Sequence, residues 1–435
     1  MKIAVQGLWH LGSVTAAALA SVGHEVVGLD FGEPVVKRLQ MGKAPILEIG
    51  LDDLIHDGLQ SNRLTFISDP SLLPQDIEIL WVTYDTPVDE EDVADIDYVI
   101  DKITVTMSFL PKETTVLVSS QMPVGSIRDL EMIAKTKHSE KRLGFACSPE
   151  NLRLGKSLDV FLKPDRIIVG TRLERDKARI EKMLLPITTR LEWMSIESAE
   201  MTKHAINAFL ATSVVFANEI ATLCEMVGAD AKEVERGLKT EQRIGPKAYL
   251  SPGGAFAGGT LARDIEFLKV ISQKAKLDIP LLESVKISND FHKSWAKRKL
   301  KLLFQNLTGV GVTVWGLTYK PGTDTLRRSL AVELCNWLLD QGAHVRVHDP
   351  VVKELPDNWN GFIQRFDNAL DALTGSQVLI VGTEWPDYKA LALDDFVRKA
   401  AGLVVLDQNR FLWVFSDIES LRYFAVGTIP EERLL

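Results

Sequence analysis

Lys2–Gly12, KIAVQGLWHLG, joins an apolar strand-like run to a glycine-containing turn, and a helix follows from Ser13 to Val22. In such a turn the first helical amides point outward at a ligand, which makes it a seat for a pyrophosphate. The pattern departs from GxGxxG, because Trp9 stands where a middle glycine would let phosphate oxygens approach the backbone. Asp30, at the end of HEVVGLD, supplies a second sign of a dinucleotide. A carboxylate there accepts both adenine-ribose hydroxyls and disfavours a 2′-phosphate. Gly7, Trp9, His10, Leu11, Gly12 and Asp30 therefore predict an NAD site rather than an NADP site. The competing reading is a unit of the same build that binds another nucleotide or none.

Outward from this turn, short apolar runs alternate with helical patterns: IEILWVT, TTVLVSS, GFACSP and RIIVG. Strands alternating with amphipathic helices imply a parallel sheet covered on both faces. From Ile196 the period changes, and SAEMTKHAINAFLATSVVFANEIATLCEMVGA reads as one long helix. Alternation returns with VTVWGL, a helix from Leu330 to Gln341, HVRVHDP, SQVLIVGT and LVVLDQN. The expected architecture is α/β: two Rossmann-like doubly wound parallel-sheet domains joined by a long central helix and a helical middle domain. The expected domains are 1–195 for the dinucleotide, 196–296 for the helical middle, and 297–435 for the second, Rossmann-like sheet.

With 435 residues, 46% hydrophobic and 25% charged, the chain can bury two or three cores. A net charge of −9 argues against nucleic-acid binding, since a phosphate-tracking surface needs a basic excess. Cys147, Cys224 and Cys335 are widely spaced, form no paired metal spacing and leave an odd thiol. They read as buried small hydrophobes of a reduced compartment. No leader pattern and no run of ~20 apolar residues is read in the sequence, so a cytoplasmic location without membrane partners is expected.

Candidate chemistry lies in four stretches. Lys203 and Asn207 are four apart on the long helix and share a face. Ser148–Gly155 reads SPENLRLG, and RIGPKAYLSPGGAFAGGTLARD runs from Arg243 to Asp264. Gly316–Arg327 reads GLTYKPGTDTLR. Taken singly, the first, third and fourth have mundane explanations: a solvated helix face, a tight interhelical turn, an exposed basic loop.

As an ordered set over nearly the whole chain, they resemble the UDP-glucose/GDP-mannose (nucleotide-sugar) dehydrogenase family. AEMTKHAINAFLA is similar to its A-E-x-x-K-x-x-x-N-x-x-L-A helix, SPENLRLG to its PEFLREG segment, and GLTYKPGTDTLR to GLAFKPNTDDxR. The resemblance implies an NAD-dependent oxidoreductase acting on a nucleotide sugar, to which it assigns 297–435, with a homodimer built through the central helix. It places Lys203, Asn207, Asp264 and Glu150 around the oxidised carbon. Lys203 would polarise the substrate oxygen or act as acid and base, Asn207 would hold the oxyanion, and Asp264 would orient a water and tune Lys203. Thr86 and Pro87, with Ser120 and Gln121, would line the nicotinamide side. Arg243, Tyr249, Phe256, Gly258, Lys320 and Arg327 would meet the sugar nucleotide.

Two departures bear on the reaction. Thr260 stands at the family's cysteine, and a threonine hydroxyl is a poor nucleophile without a strong neighbouring base. Leu154, near the nicotinamide, stands at the second acid of PEFLREG, and Gln121 and Arg263 differ as well. Both major changes remove parts suited to the hydrolytic half of a four-electron oxidation. The expectation is oxidation of a sugar carbinol, C6 of a UDP- or GDP-hexose, without a cysteine thioester and stopping at two electrons. The alternatives are full oxidation to the uronate through a gem-diol, and a non-catalytic nucleotide-sugar sensor or assembly subunit.

Overall fold

The computed structural model describes the chain apart from residues 47, 88, 90–93, 151, 153, 154, 258 and 429–435. It divides into two compact units, Met1–Ile206 and Asn207–Leu435. The division falls inside the long helix, Ile196–Val227.

The first unit is built on eight strands: β1 (Lys2–Gln6), β2 (Glu25–Leu29), β3 (Leu64–Ile67), β4 (Ile79–Val82), β5 (Thr115–Val118), β6 (Gly144–Cys147), β7 (Ile167–Thr171) and β8 (Leu191–Met194). Their order is β3-β2-β1-β4-β5-β6-β7-β8. Pairing is parallel except between β6 and β7, which run antiparallel over Ala146↔Thr171 and Cys147↔Gly170. The strands are short and apolar because helices cover both faces, as in β4, where all four residues of ILWV are buried. One core gathers Ile3, Val5, Leu19 and Ile55, and the other gathers Leu80, Val82, Ile103 and Val116.

The second unit carries six parallel strands: β9 (Gly311–Trp315), β10 (His344–His348), β11 (Ile363–Arg365), β12 (Val378–Val381), β13 (Val404–Leu406) and β14 (Arg422–Phe424). The order β11-β10-β9-β12-β13-β14 repeats the first sheet's plan. The order in which strands are added reverses beside the first strand of each unit, from β1 to β4 and from β9 to β12, with the strands still parallel, and ligands of open α/β sheets sit at the carboxyl edge of such a switch point.

The helix Ile196–Val227 has a mean hydropathy of 1.4 over its most apolar 18-residue window, so by length and composition it is able to cross a membrane. Its acids are tied into protein contacts. Glu200 accepts from the Gly125 and Ile127 amides, and Glu225 accepts from Trp295 Nε1 and the Gly427 amide. A helix whose carboxylates are satisfied by neighbouring segments is a core element of a globular fold.

Candidate functional site

In the first unit, β1 ends at Gly7, whose φ of +92° admits glycine readily and other residues only with strain. Gly12 is needed for space: a Cβ there would lie 1.8 Å from Gly7 O and 2.7 Å from Thr83 Oγ1. Asp30 clamps the turn, accepting from the Leu8 amide at 2.7 Å and the Gly32 amide at 2.8 Å. Trp9, the departure in the glycine pattern, is 48% exposed, so its indole points away from the packed turn. His10 is the first residue of the helix His10–Ser21, and Leu11 is buried beneath it.

The second unit copies this clamp and shows why only one copy is open. Asp349 follows β10 as Asp30 follows β2, and Gly316 after β9 has φ +85°. Asp349 takes hydrogen bonds from five donors: the amides of Leu317, Thr318, Val351 and Val352, and Trp385 Nε1. A carboxylate offers about four lone-pair sites, so Asp349 is saturated by the protein while Asp30 keeps room for ribose hydroxyls. The Ser120 hydroxyl, after β5, is buried without a hydrogen-bond partner among the described residues. A polar group of a ligand at this sheet edge would satisfy that hydroxyl. Thr86 Oγ1 donates to Gln121 O at 2.7 Å and so joins the two loops of that edge, with Pro87 exposed beside it. These features fit NAD.

On the same unit, Lys203 Nζ donates to Glu150 O at 2.6 Å and lies 4.0 Å from Glu150 Oε1, with the lysine side chain 12% exposed. Glu150 Oε2 accepts from the Leu152 amide at 2.6 Å. Glu200 and His204 share this helix face, and burial raises the Glu200 carboxyl above the usual carboxylate range. His204 Nε2 pairs with Met122 O at 3.1 Å.

In the second unit Asn207 Nδ2 donates to Asp264 Oδ2, and Asp264 is fully buried in the first turns of the helix Thr260–Ala275. The preceding loop is held by side chains that the sequence reading missed. Asn218 Oδ1 accepts from the Gly253 amide at 3.0 Å, Asn409 Oδ1 from Gly254, and Asn289 Oδ1 from Phe256. A Cβ on Gly253 would stand 2.1 Å from Asn409 Oδ1, which explains that glycine. Nothing in the local pattern marks these residues, because they reach the loop from positions up to 155 residues away.

His292 Nε2 donates to Gly253 O at 2.7 Å, and burial pushes its imidazole below the ordinary value, so it is held neutral. The unfolded chain therefore binds a proton that the folded chain resists, and stability is lost as pH falls from about 6.5 through the folded value. The melting-temperature advantage of the wild type over His292→Gln is expected to be full above pH ~6.5 and to shrink toward pH 5.5. A gap that stays constant across this range contradicts a neutral, proton-resisting His292.

Thr260 is exposed at the helix start, and among the described residues no base is hydrogen-bonded to its hydroxyl. Beyond the loop, a cleft of about 560 Å3 opens at the carboxyl ends of β9, β12 and β13, lined by Phe256, Lys293, Lys297, Lys320, Glu384 and Asn409. The structure thus brings Phe256 and Lys320 together there, and it adds Lys293 and Lys297. Arg327 is exposed on the Lys320 loop. Arg243 is paired with Glu241 at 3.0 Å with its side chain 88% exposed, and Tyr249 is 58% exposed. Neither lines that cleft. Leu154 and Gly258 lie outside the described residues.

One α/β sheet ends at a glycine turn clamped by Asp30, and the other carries a lysine-lined cleft at its carboxyl edge. Three family models match in order: the NAD binding domain of the UDP-glucose/GDP-mannose dehydrogenase family over 1–188, its central domain over 197–291, and its UDP binding domain over 313–412. The UDP-glucose 6-dehydrogenase of Rickettsia bellii is 32% identical over 98% of this chain and 100% of its own length. That of Pseudomonas aeruginosa is 31% identical over 89% of both. The UDP-glucose dehydrogenase structure from Pyrobaculum islandicum superposes with a TM-score of 0.86 at 27% identity, covering 98% of each chain. The chain belongs to the UDP-glucose/GDP-mannose dehydrogenase family, and it is an NAD-dependent oxidoreductase acting on CH–OH.

Proposed function

We propose that the chain oxidises a carbinol carbon, C6 of a UDP- or GDP-hexose, and releases the two-electron product without a covalent intermediate. The balance is R–CH2OH + NAD+ → R–CHO + NADH + H+. NAD supplies the hydride acceptor. Lys203 takes the hydroxyl proton or polarises the oxygen, Asn207 donates to the developing oxyanion, and Asp264 holds the Asn207 amide in place. Glu150 positions Lys203 through its carbonyl. The sugar nucleotide occupies the lysine-lined cleft, its diphosphate on Lys320 and its neighbours.

The observation that carries this reading is Thr260. An exposed hydroxyl with no base bonded to it among the described residues is a poor nucleophile, so thioester-type chemistry has no counterpart there. A thermal-shift screen of UDP-, GDP- and ADP-sugars with NAD identifies the ligand. NADH is then counted per sugar consumed. One NADH is expected, and Thr260→Ala is expected to retain turnover within about threefold, because the hydroxyl has no role in the hydride step. Two NADH per sugar, with uronate formed through an adduct on Thr260, would refute the proposal. Two NADH without an adduct would favour the gem-diol route, and binding without cofactor reduction would favour a sensor.

The dimer is part of the same proposal. Phe209, Phe216 and Leu223 repeat at seven-residue spacing and are 69%, 46% and 59% exposed along the long helix. A heptad-spaced apolar stripe suits a second copy of that helix. Sedimentation as a monomer at micromolar concentration would contradict it.

A further inference from the structure

His10 opens the first helix of the cofactor turn, and its imidazole is not left to solvent. Nε2 lies 3.0 Å from Glu48 Oε2 and 3.0 Å from Ser157 Oγ. The Glu48 side chain is 1% exposed, a costly place for a charge unless donors surround it. Here they do. Glu48 also accepts from the Gly155 amide at 2.9 Å and the Ser157 amide at 3.0 Å, and these bonds, with that from His10, hold its carboxyl below the usual carboxylate range despite burial. One carboxylate thus ties together the Gly7–Gly12 turn, the loop ahead of the helix Leu51–Gln60, and the end of the segment that begins at Glu150.

We propose that Glu48 is a positioning residue for NAD, holding His10, and with it the pyrophosphate turn, against Gly155–Ser157. A cap for the short helix Ser157–Leu162 would need only the two amide bonds. The third bond, to His10, reaches across to a different element and is the part that a purely local cap does not explain. It matters more in this turn because Trp9 replaces a residue whose small size would let the backbone settle around phosphate unaided. A fixed His10 keeps the first helical amides aimed outward before the cofactor arrives, which lowers the ordering cost of binding.

Three proteins test this: Glu48→Gln, His10→Ala and the double variant. The glutamine presents N–H to donors and accepts at one atom only. The dissociation constant and KM for NAD are expected to rise about tenfold in each single variant. The double variant should be no worse than the poorer single one, because the two residues act through one contact. Affinity for the sugar nucleotide measured without NAD should stay within twofold, and the melting temperature of His10→Ala should stay near that of the wild type. NAD affinity unchanged in Glu48→Gln, or additive losses in the double variant, would overturn the inference. So would parallel loss of both ligands with a lowered melting temperature, which marks a general folding defect. A wild type that binds no NAD would overturn the cofactor assignment and this inference with it.

Discussion

Lys203→Met is expected to lower kcat about a thousandfold while leaving NAD affinity within about twofold, the size typical of losing a positioned acid–base group. Methionine keeps the length and apolar stem of lysine, so the packing of a side chain that is 12% exposed is preserved. What disappears is the ammonium, which donates to Glu150 O at 2.6 Å and stands 4.0 Å from the Glu150 carboxylate. A carbinol oxygen cannot lose its proton as hydride leaves unless a neighbouring group accepts it or the developing charge is stabilised. Stopped-flow NADH fluorescence under single-turnover conditions reads the hydride step directly. A decrease of less than tenfold would remove Lys203 from the chemistry and shift attention to Asn207 and Asp264.

The second large effect is expected from Gly12→Ala. The added methyl carbon would stand 1.8 Å from Gly7 O, an oxygen that also accepts from Thr83 Oγ1 at 2.9 Å and so cannot simply move aside. Overpacking of this kind costs about 3 kcal/mol, or roughly 6–12 °C in melting temperature for a unit of this size. Because the clash pushes the helix away from the turn that seats the pyrophosphate, NAD binding is expected to be lost even at temperatures where the variant is folded. Gly237→Ala is the control: nothing lies within 4 Å of a Cβ there, and alanine favours the helix Ala231–Thr240. Equal melting temperatures for Gly12→Ala and the wild type would show that the turn adapts, and would weaken the case that Gly12 is required for close helix–strand packing.

Much of the fold was legible because it is written locally. KIAVQG, IEILWVT and VTVWGL are apolar over their whole length, as strands buried on both faces must be, and the long helix announces itself by its period. The reversal of β7 against β6 was not legible, since an apolar run carries no sign of direction. The cofactor turn was half legible. Gly7, Gly12 and Asp30 sit within one strand–turn–helix–strand unit, so spacing alone brings them together. Glu48 and Ser157 were missed, because they join His10 only through the tertiary path of the chain. The Gly253–Phe256 loop makes the same point: its glycines are visible in sequence, whereas Asn218, Asn289, His292 and Asn409, which fix its shape, look like ordinary polar residues. Arg243 and Tyr249 show the converse, since motif position suggested a pocket and the described unit leaves both side chains exposed.

By itself, then, the sequence determined the element types and the two-sheet plan, and it set Gly7, Gly12 and Asp30 in one strand–turn–helix–strand unit. These depend on side-chain period and on residues only a few positions apart. Only the tertiary structure decided which of two similar aspartates stays open to a ligand, Asp30 rather than the saturated Asp349. It alone likewise decided which distant polar side chains brace the turn and the loop. Hydrogen-bond capacity is used up by partners far away in the chain, and no local pattern records where those partners will be.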